Sequence, residues 1–272
     1  MRSSTAPATC CILSFVLMFL SCRSSDVSQN LSAEDRFEKG KHEFEKEDYL
    51  DAIDDFTSLT LQFPGSALAD DAQFYLAECR FQRGEYLLAA YEYQTLKRSM
   101  PASPLVPLAQ YKTGLCYYKL SPKSPLDQNH TRKAIDEFQT FLEYFPTHEL
   151  DADAEAKIHE LNNRLAKKDY DTAVLYMKME NYKAATFYFE SLLEKYHDSE
   201  YAERAHVGKL QALIARKKYE EAKIDVEKFL MTYPDSEFKS TVKSIQYEIE
   251  QHLKDHSAAR LAPEPISVSE RH

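Results

Sequence analysis

The chain has 272 residues, 43% of them apolar and 12% aromatic, with five glycines and no tryptophan. That is ample material for a single, mainly helical domain and argues against a β-sandwich. A formal charge of −10 excludes a nucleic-acid surface, because phosphates require clustered Lys and Arg, and excludes adhesion to anionic lipid headgroups by charge alone.

Arg2 gives the amino terminus a small positive region, and Cys11 to Leu20 forms an apolar run of ten residues. Ten residues are too few to cross roughly 30 Å of hydrocarbon as a helix, so residues 1–21 are expected to be a signal peptide. Ser21-Cys22 closes the run, and a small residue directly before a cysteine at that place resembles a bacterial lipobox. Cys22 then becomes the acylated first residue of the mature chain, while Cys10 and Cys11 leave with the leader. Phe19 stands where Leu, Val or Ile is usual. The plain alternative is ordinary signal-peptidase cleavage with Cys22 as a bystander. Residues 22–32 are expected to form a flexible tether.

From residue 33 the chain repeats. The triplets Ala52/Phe56/Pro64, Ala89/Tyr93/Pro101, Ala134/Phe138/Pro146, Ala185/Phe189/His197 and Ala222/Val226/Pro234 follow one another at alanine spacings of 37, 45, 51 and 37 residues. Recurrence at this length is the mark of a solenoid of helix pairs. A polar residue and a tyrosine (Asp48-Tyr49, Glu85-Tyr86, Asn181-Tyr182, Lys218-Tyr219) open the second helix of a unit. The alanine lets that helix approach its partner, and the bulky residue one turn later fills the space. Proline stops the helix by disfavouring the α conformation in the residue before it, a brake that Tyr196-His197 lacks. Gly40 and Gly114 mark the close-approach positions of two first helices. The pattern resembles tetratricopeptide repeats over residues 33–236, with Phe37, Phe74 and Leu108 as candidates for the space of that family's tryptophan. The expected fold is all-α: about five helix pairs near 33–66, 70–103, 107–148, 151–199 and 203–236, with an extended helix in the fourth, then a capping helix at 237–256 and a disordered tail at 257–272. An ordinary helical bundle with coincidental alanines is the alternative.

Two spacings exceed the norm. The first comes from Ser121 to His130, a Pro/Ser/Asn segment expected to loop out between the helices of the third unit. The second predicts a long helix from about Asp151 to Met179, projecting beyond the stack. Its Ala154, Ile158, Leu161 and Leu165 form an apolar stripe, and Lys157, Arg164, Lys167 and Lys168 a basic one in an otherwise acidic protein. Arg164, Lys167 and Lys168 are therefore candidate partner contacts, the alternative being a solvated charged face. In the first two units Phe37 and Lys41, then Phe74 and Glu78, share helix faces and are candidates for a groove that takes an extended peptide.

Catalytic signatures fail residue by residue. His159-Glu160 lacks the second histidine that a metalloprotease helix requires at Asn163, and there is no phosphate-cradling glycine loop, no nucleophile elbow and no Cys-x-x-Cys. His252 and His256 can share a helix face, but two ligands near a terminus suit solvent better than a metal. Neither a cofactor nor an enzymatic activity is expected. Cys79 and Cys116 occupy equivalent positions of adjacent units, about 8–10 Å apart by helix spacing, and are expected to be buried free thiols.

The lipobox, the five repeats, the third-unit insert and the segment Arg164-Leu165-Ala166-Lys167-Lys168-Asp169-Tyr170 together resemble the BamD, or ComL-like, family of outer-membrane β-barrel assembly lipoproteins. Leu126-Asp127-Gln128 leading into Lys133-Ala134-Ile135 looks like that family's third repeat. The resemblance implies a non-enzymatic scaffold, lipid-anchored on the periplasmic face of the outer membrane. Such a scaffold docks the barrel-inserting subunit and other lipoproteins and helps receive unfolded outer-membrane proteins. It also brings Tyr170 into the partner-binding set. Rival expectations are a periplasmic repeat lipoprotein coordinating cell-wall synthesis or polysaccharide export, and a binder of a small ligand.

Overall fold

The computed structural model describes residues 31–261; the expected signal peptide, Cys22 and most of the expected tether and tail lie outside them. Among the described residues are eleven helices and no strand. They are α1 (Ala33–Glu45), α2 (Tyr49–Gln62), α3 (Ala69–Gln82), α4 (Tyr86–Ser99), α5 (Val106–Leu120) and α6 (Asn129–Tyr144). The order continues with α7 (Asp151–Lys178), α8 (Tyr182–Lys195), α9 (Ala202–Ala215), α10 (Tyr219–Thr232) and α11 (Lys239–Leu261). Each helix packs on the one before it and the one after it, and first helices touch across units at α1/α3, α7/α9 and α9/α11. This is a tetratricopeptide-type solenoid of five helix pairs, closed by α11.

The repeat arises from small residues meeting large ones. Ala52, Ala89, Ala134, Ala185 and Ala222 are fully buried. The bulky residue after each lies over the close-approach position of the first helix. A Cβ built at Gly40 would meet the Phe56 ring at 3.0 Å, and one at Gly114 would meet the Phe138 ring at 2.8 Å. In the fifth unit the volumes are exchanged. Leu210 stands at the glycine position and Val226 replaces the aromatic, both fully buried in one cluster.

The turn between paired helices comes from one residue in the left-handed region: Glu47 (φ 65°), Gly84 (φ 75°), Glu180 (φ 57°) and Lys217 (φ 57°). Around Gly84 the amides of Gly84 and Glu85 close the helix end on the carbonyls of Phe81 and Arg80, and the other three turns repeat the pattern. The opening tyrosine packs on the first helix, as in the edge-to-face pairs Phe44/Tyr49 and Phe81/Tyr86.

The fourth unit ends like the others despite lacking proline. Tyr196 has φ −133° and ψ 45°, beside φ −128° and ψ 51° at Phe63. The stop is set by a shared turn in which the amides of Ser66, Ser103, His148, Ser199 and Ser236 bond back to the carbonyl of the residue just past the second helix, Phe63, Met100, Phe145, Tyr196 and Tyr233 in turn. The long helix also departs from expectation, because it does not project free of the stack. Its first half packs Ala154, Leu161 and Leu165 against Phe138 and Phe141, and its second half places Ala166 and Ala173 with Ala185 and Phe189 of α8. One helix thus serves two units. At the carboxyl end α11 runs through Leu261, past the expected tail boundary at residue 257.

Candidate binding surfaces

On α7 the basic stripe is engaged within the molecule. Arg164 donates from Nη1 to the carbonyl of Ser121 (3.0 Å), to Ser121 Oγ (2.7 Å) and to the carbonyl of Pro122 (3.4 Å), while its Nη2 pairs with Glu160 at 2.8 Å. The Nζ of Lys168 donates to the carbonyl of Leu126 at 2.6 Å. Two of the predicted contact residues therefore clasp the third-unit insert onto the long helix. Lys167 stays 45% exposed, bridges Asp171 at 3.0 Å and lies over the Tyr201 ring. Its hydrogen bond and charge pairing with Asp171 outweigh partial desolvation and hold the ammonium above the usual lysine range. Tyr170 is half-buried against Phe189 and Tyr201. Lys157 pairs with Asp153 and covers the Tyr118 ring. Between the insert, α7 and the turn before α9 lies a cavity of about 830 Å³, lined by Lys123, Pro125, His159, Arg164, Lys167 and Tyr201, among others.

In the amino-terminal units the candidate groove residues separate. Phe37 is buried against Phe56 and Tyr75, and Glu78, 8% exposed, accepts from Tyr93 and pairs with Lys112 at 2.8 Å. Both belong to packing between helices. Lys41 and Phe74 are partly exposed. Phe74 packs its ring on Tyr93, and Leu108, the third candidate for the tryptophan space, is partly buried.

The first and second helices are also tied by a buried polar ladder that the sequence reading missed. Arg36 faces Asp55, Gln73 bonds Glu92, Gln110 bonds Glu137 and His206 faces Asp225. The acid stands one residue before the bulky core residue in every case. The signal was available, since a polar residue precedes each acid by 19 positions, or by 27 where the insert intervenes. The serine turns escaped notice too. Ser103 reaches back to Asp70 at 2.7 Å and Ser236 to Glu203, so the turn that ends a unit grips that unit's own first helix. Ser199 finds Ala166 at the corresponding place, and its buried hydroxyl has no hydrogen-bond partner among the described residues. Cys79 and Cys116 are both free and fully buried. Burial, with the Glu78 charge second, pushes each thiol up to about 12. No described helix is long and apolar enough to cross a membrane.

A helix-pair solenoid with an insert clasped to a double-length helix defines a repeat scaffold with extended side surfaces. The family profile described as outer membrane lipoprotein, YfiO, matches residues 29–217, and the chain belongs to that family. It is similar to the outer membrane protein assembly factor BamD of Rickettsia prowazekii (strain Madrid E), at 25% identity over 196 residues, covering 72% of this chain and 78% of the relative. Among solved structures it is similar to the TPR2AB-domain:pHSP90 complex of yeast Sti1, at 15% identity and TM-score 0.41, covering 84% of this chain and 86% of that one. A tetratricopeptide repeat protein from Parabacteroides merdae matches at 17% identity and TM-score 0.36, covering 84% of this chain and 76% of its own.

Proposed function

We propose that the chain is a non-catalytic scaffold of outer-membrane β-barrel protein assembly, held by a lipid on Cys22 at the periplasmic face of the outer membrane. The observation that carries this is the outer-membrane lipoprotein family match over residues 29–217, together with the assembly-factor relative. A solenoid suits the role, because its extended side surfaces hold several partners at once. The region of the insert, Lys167 and Tyr170 docks the periplasmic domains of the barrel-inserting subunit, and other lipoproteins of the complex join the array. The amino-terminal units receive unfolded outer-membrane proteins through the accessible Lys41 and Phe74, with Phe37 and Glu78 shaping the wall behind them.

The test is purification of the full chain from detergent-solubilised envelopes, with mass spectrometry of the partners and of the Cys22 peptide. Barrel-assembly subunits and an acylated Cys22 are expected. Cell-wall synthases in their place, with no barrel-assembly subunit, would transfer the chain to the rival role of a synthesis coordinator.

A further inference from the structure

One interface between units lacks a side chain that another supplies. Two residues before the close-approach position, the five units carry Glu38, Tyr75, Lys112, Asp171 and Gly208 in turn. In the second unit the Tyr75 ring stacks on Phe56, the bulky residue of the unit before, with centroids 5.4 Å apart and planes 19° from parallel. Gly208 stands in the same relation to Phe189, since each follows its phenylalanine by 19 positions. With no side chain at Gly208, the tip of the Phe189 ring closes on the helix backbone, where a Cβ would overlap it. The ring does not fill the whole space. A cavity of about 330 Å³ remains beside it, walled by Tyr170, Val174 and Met177 of α7, by Val207 of α9 and by Phe238. Arg204 and Gln211 complete the lining, one on either side of Gly208 along α9. Both are exposed, and neither makes a hydrogen bond or ion pair among the described residues.

We propose that this cavity binds one aromatic side chain of an extended polypeptide segment, whose ring lies on Phe189 as the Tyr75 ring lies on Phe56. The molecule's own repeat thus names the occupant, because an aromatic ring of the chain fills the equivalent space three units earlier. The volume agrees: an apolar cavity of about 150 Å³ suffices for benzene, which leaves room here for the ring and the backbone that carries it. A ring seated there gains an aromatic pair with Phe189 besides its apolar burial, and the flexible thioether of Met177 adapts to its edge. A charged side chain would be stranded among apolar walls. Arg204 and Gln211 lie two helical turns apart, about 10 Å along α9, so their unused donors meet main-chain carbonyls on either side of the inserted residue. The site is separate from the amino-terminal groove proposed above and does not depend on it.

The test is nuclear magnetic resonance of the full chain with carbon-13 methionine methyl groups, titrated with the peptides acetyl-Gly-Gly-Phe-Gly-Gly-amide and acetyl-Gly-Gly-Ala-Gly-Gly-amide. The Phe peptide should move the Met177 methyl signal saturably, through the ring current, and leave Met100 and Met231 in place. The Ala peptide should bind about tenfold more weakly or worse, because it buries no ring. Val174→Phe should put a ring of the chain's own into the cavity and weaken the Phe peptide by about tenfold. Gln211→Trp, at an exposed position that leaves the core untouched, should do the same by covering the mouth. Arg204→Ala should weaken the Phe peptide by about threefold or more through the lost donor. Equal affinity for the two peptides, or a Met177 shift undiminished in both Val174→Phe and Gln211→Trp, would overturn the site. So would the absence of any Met177 shift. Failure of the site leaves the scaffold role standing, because that role rests on the family match and not on this cavity.

Discussion

Asp225 shows how a single buried charge is kept. It is 5% exposed and faced by two groups of α9, Lys209 at 2.9 Å and His206 at 3.5 Å. Burial alone would raise its carboxyl, but the hydrogen bonds and charges of His206 and Lys209 outweigh that and leave it below the usual aspartate range. Removing one partner of such a pair strands the other without water. The folded-state value lies below the unfolded one, so the stabilisation is complete above about pH 4 and is lost as the pH falls through the folded value. Acid titrations should therefore show a steeper loss of stability below about pH 4 in the wild type than in Asp225→Asn, with about 1.4 kcal/mol per pH unit, the slope for one whole proton, as the upper limit of the difference. Equal slopes from urea midpoints across that range would mean that Asp225 is not held ionised by its neighbours.

At the scale of the helix pair, what specifies the approach of two helices is the sum of two facing volumes. Gly40 faces Phe56 and Gly114 faces Phe138, while Leu210 and Val226 reach the same fit with the sizes reversed. Val226→Phe should overpack the fifth unit by about 1–3 kcal/mol, and Leu210→Ala should cost about 2–5 kcal/mol through the cavity it leaves. The double variant should cost less than the two together, by about 0.5–3 kcal/mol, and urea unfolding at a constant m-value measures this. Strict additivity would show that the two positions do not share one space. This small-to-large rule was legible in the sequence because both partners are side chains at fixed spacing, and the helix pairs came with it. The candidate partner residues were legible only as a charge stripe. That Arg164 and Lys168 spend their donors on backbone carbonyls of Ser121, Pro122 and Leu126 leaves no mark in the sequence, since any residue supplies a carbonyl. For the same reason Phe37 and Glu78 were expected in a groove. Spacing places them on a helix face, but only the neighbouring rings and Lys112 decide which way that face turns.

Across the whole array, α7 decides how far the units act together. In a solenoid each unit contacts only its neighbours, and stability is close to a sum of unit and interface contributions. Here one 28-residue helix is shared, its first half closing the third unit and its second half opening the fourth. The two cores meet otherwise at Tyr196, which packs against both. Continuity of the helix should therefore be the main coupling between the amino- and carboxy-terminal parts of the array. Asn162 lies near the middle of α7 and is only partly buried, so Asn162→Pro breaks the rod with little loss of core packing. Proline there removes one helical hydrogen bond and clashes with the preceding turn, at a cost of about 3 kcal/mol or more. Hydrogen exchange in increasing urea should show the amides of α6 and α8 opening together in the wild type and separately in the variant, with the α1–α6 side and the α8–α11 side losing protection at different concentrations. If α6 and α8 still open together at a lower urea concentration, the coupling runs through the Tyr196 contacts and the helix is only a spacer. Separate opening would mean that this long helix fixes the clasped insert and the carboxy-terminal units as one rigid face, the geometry that simultaneous docking of several partners requires.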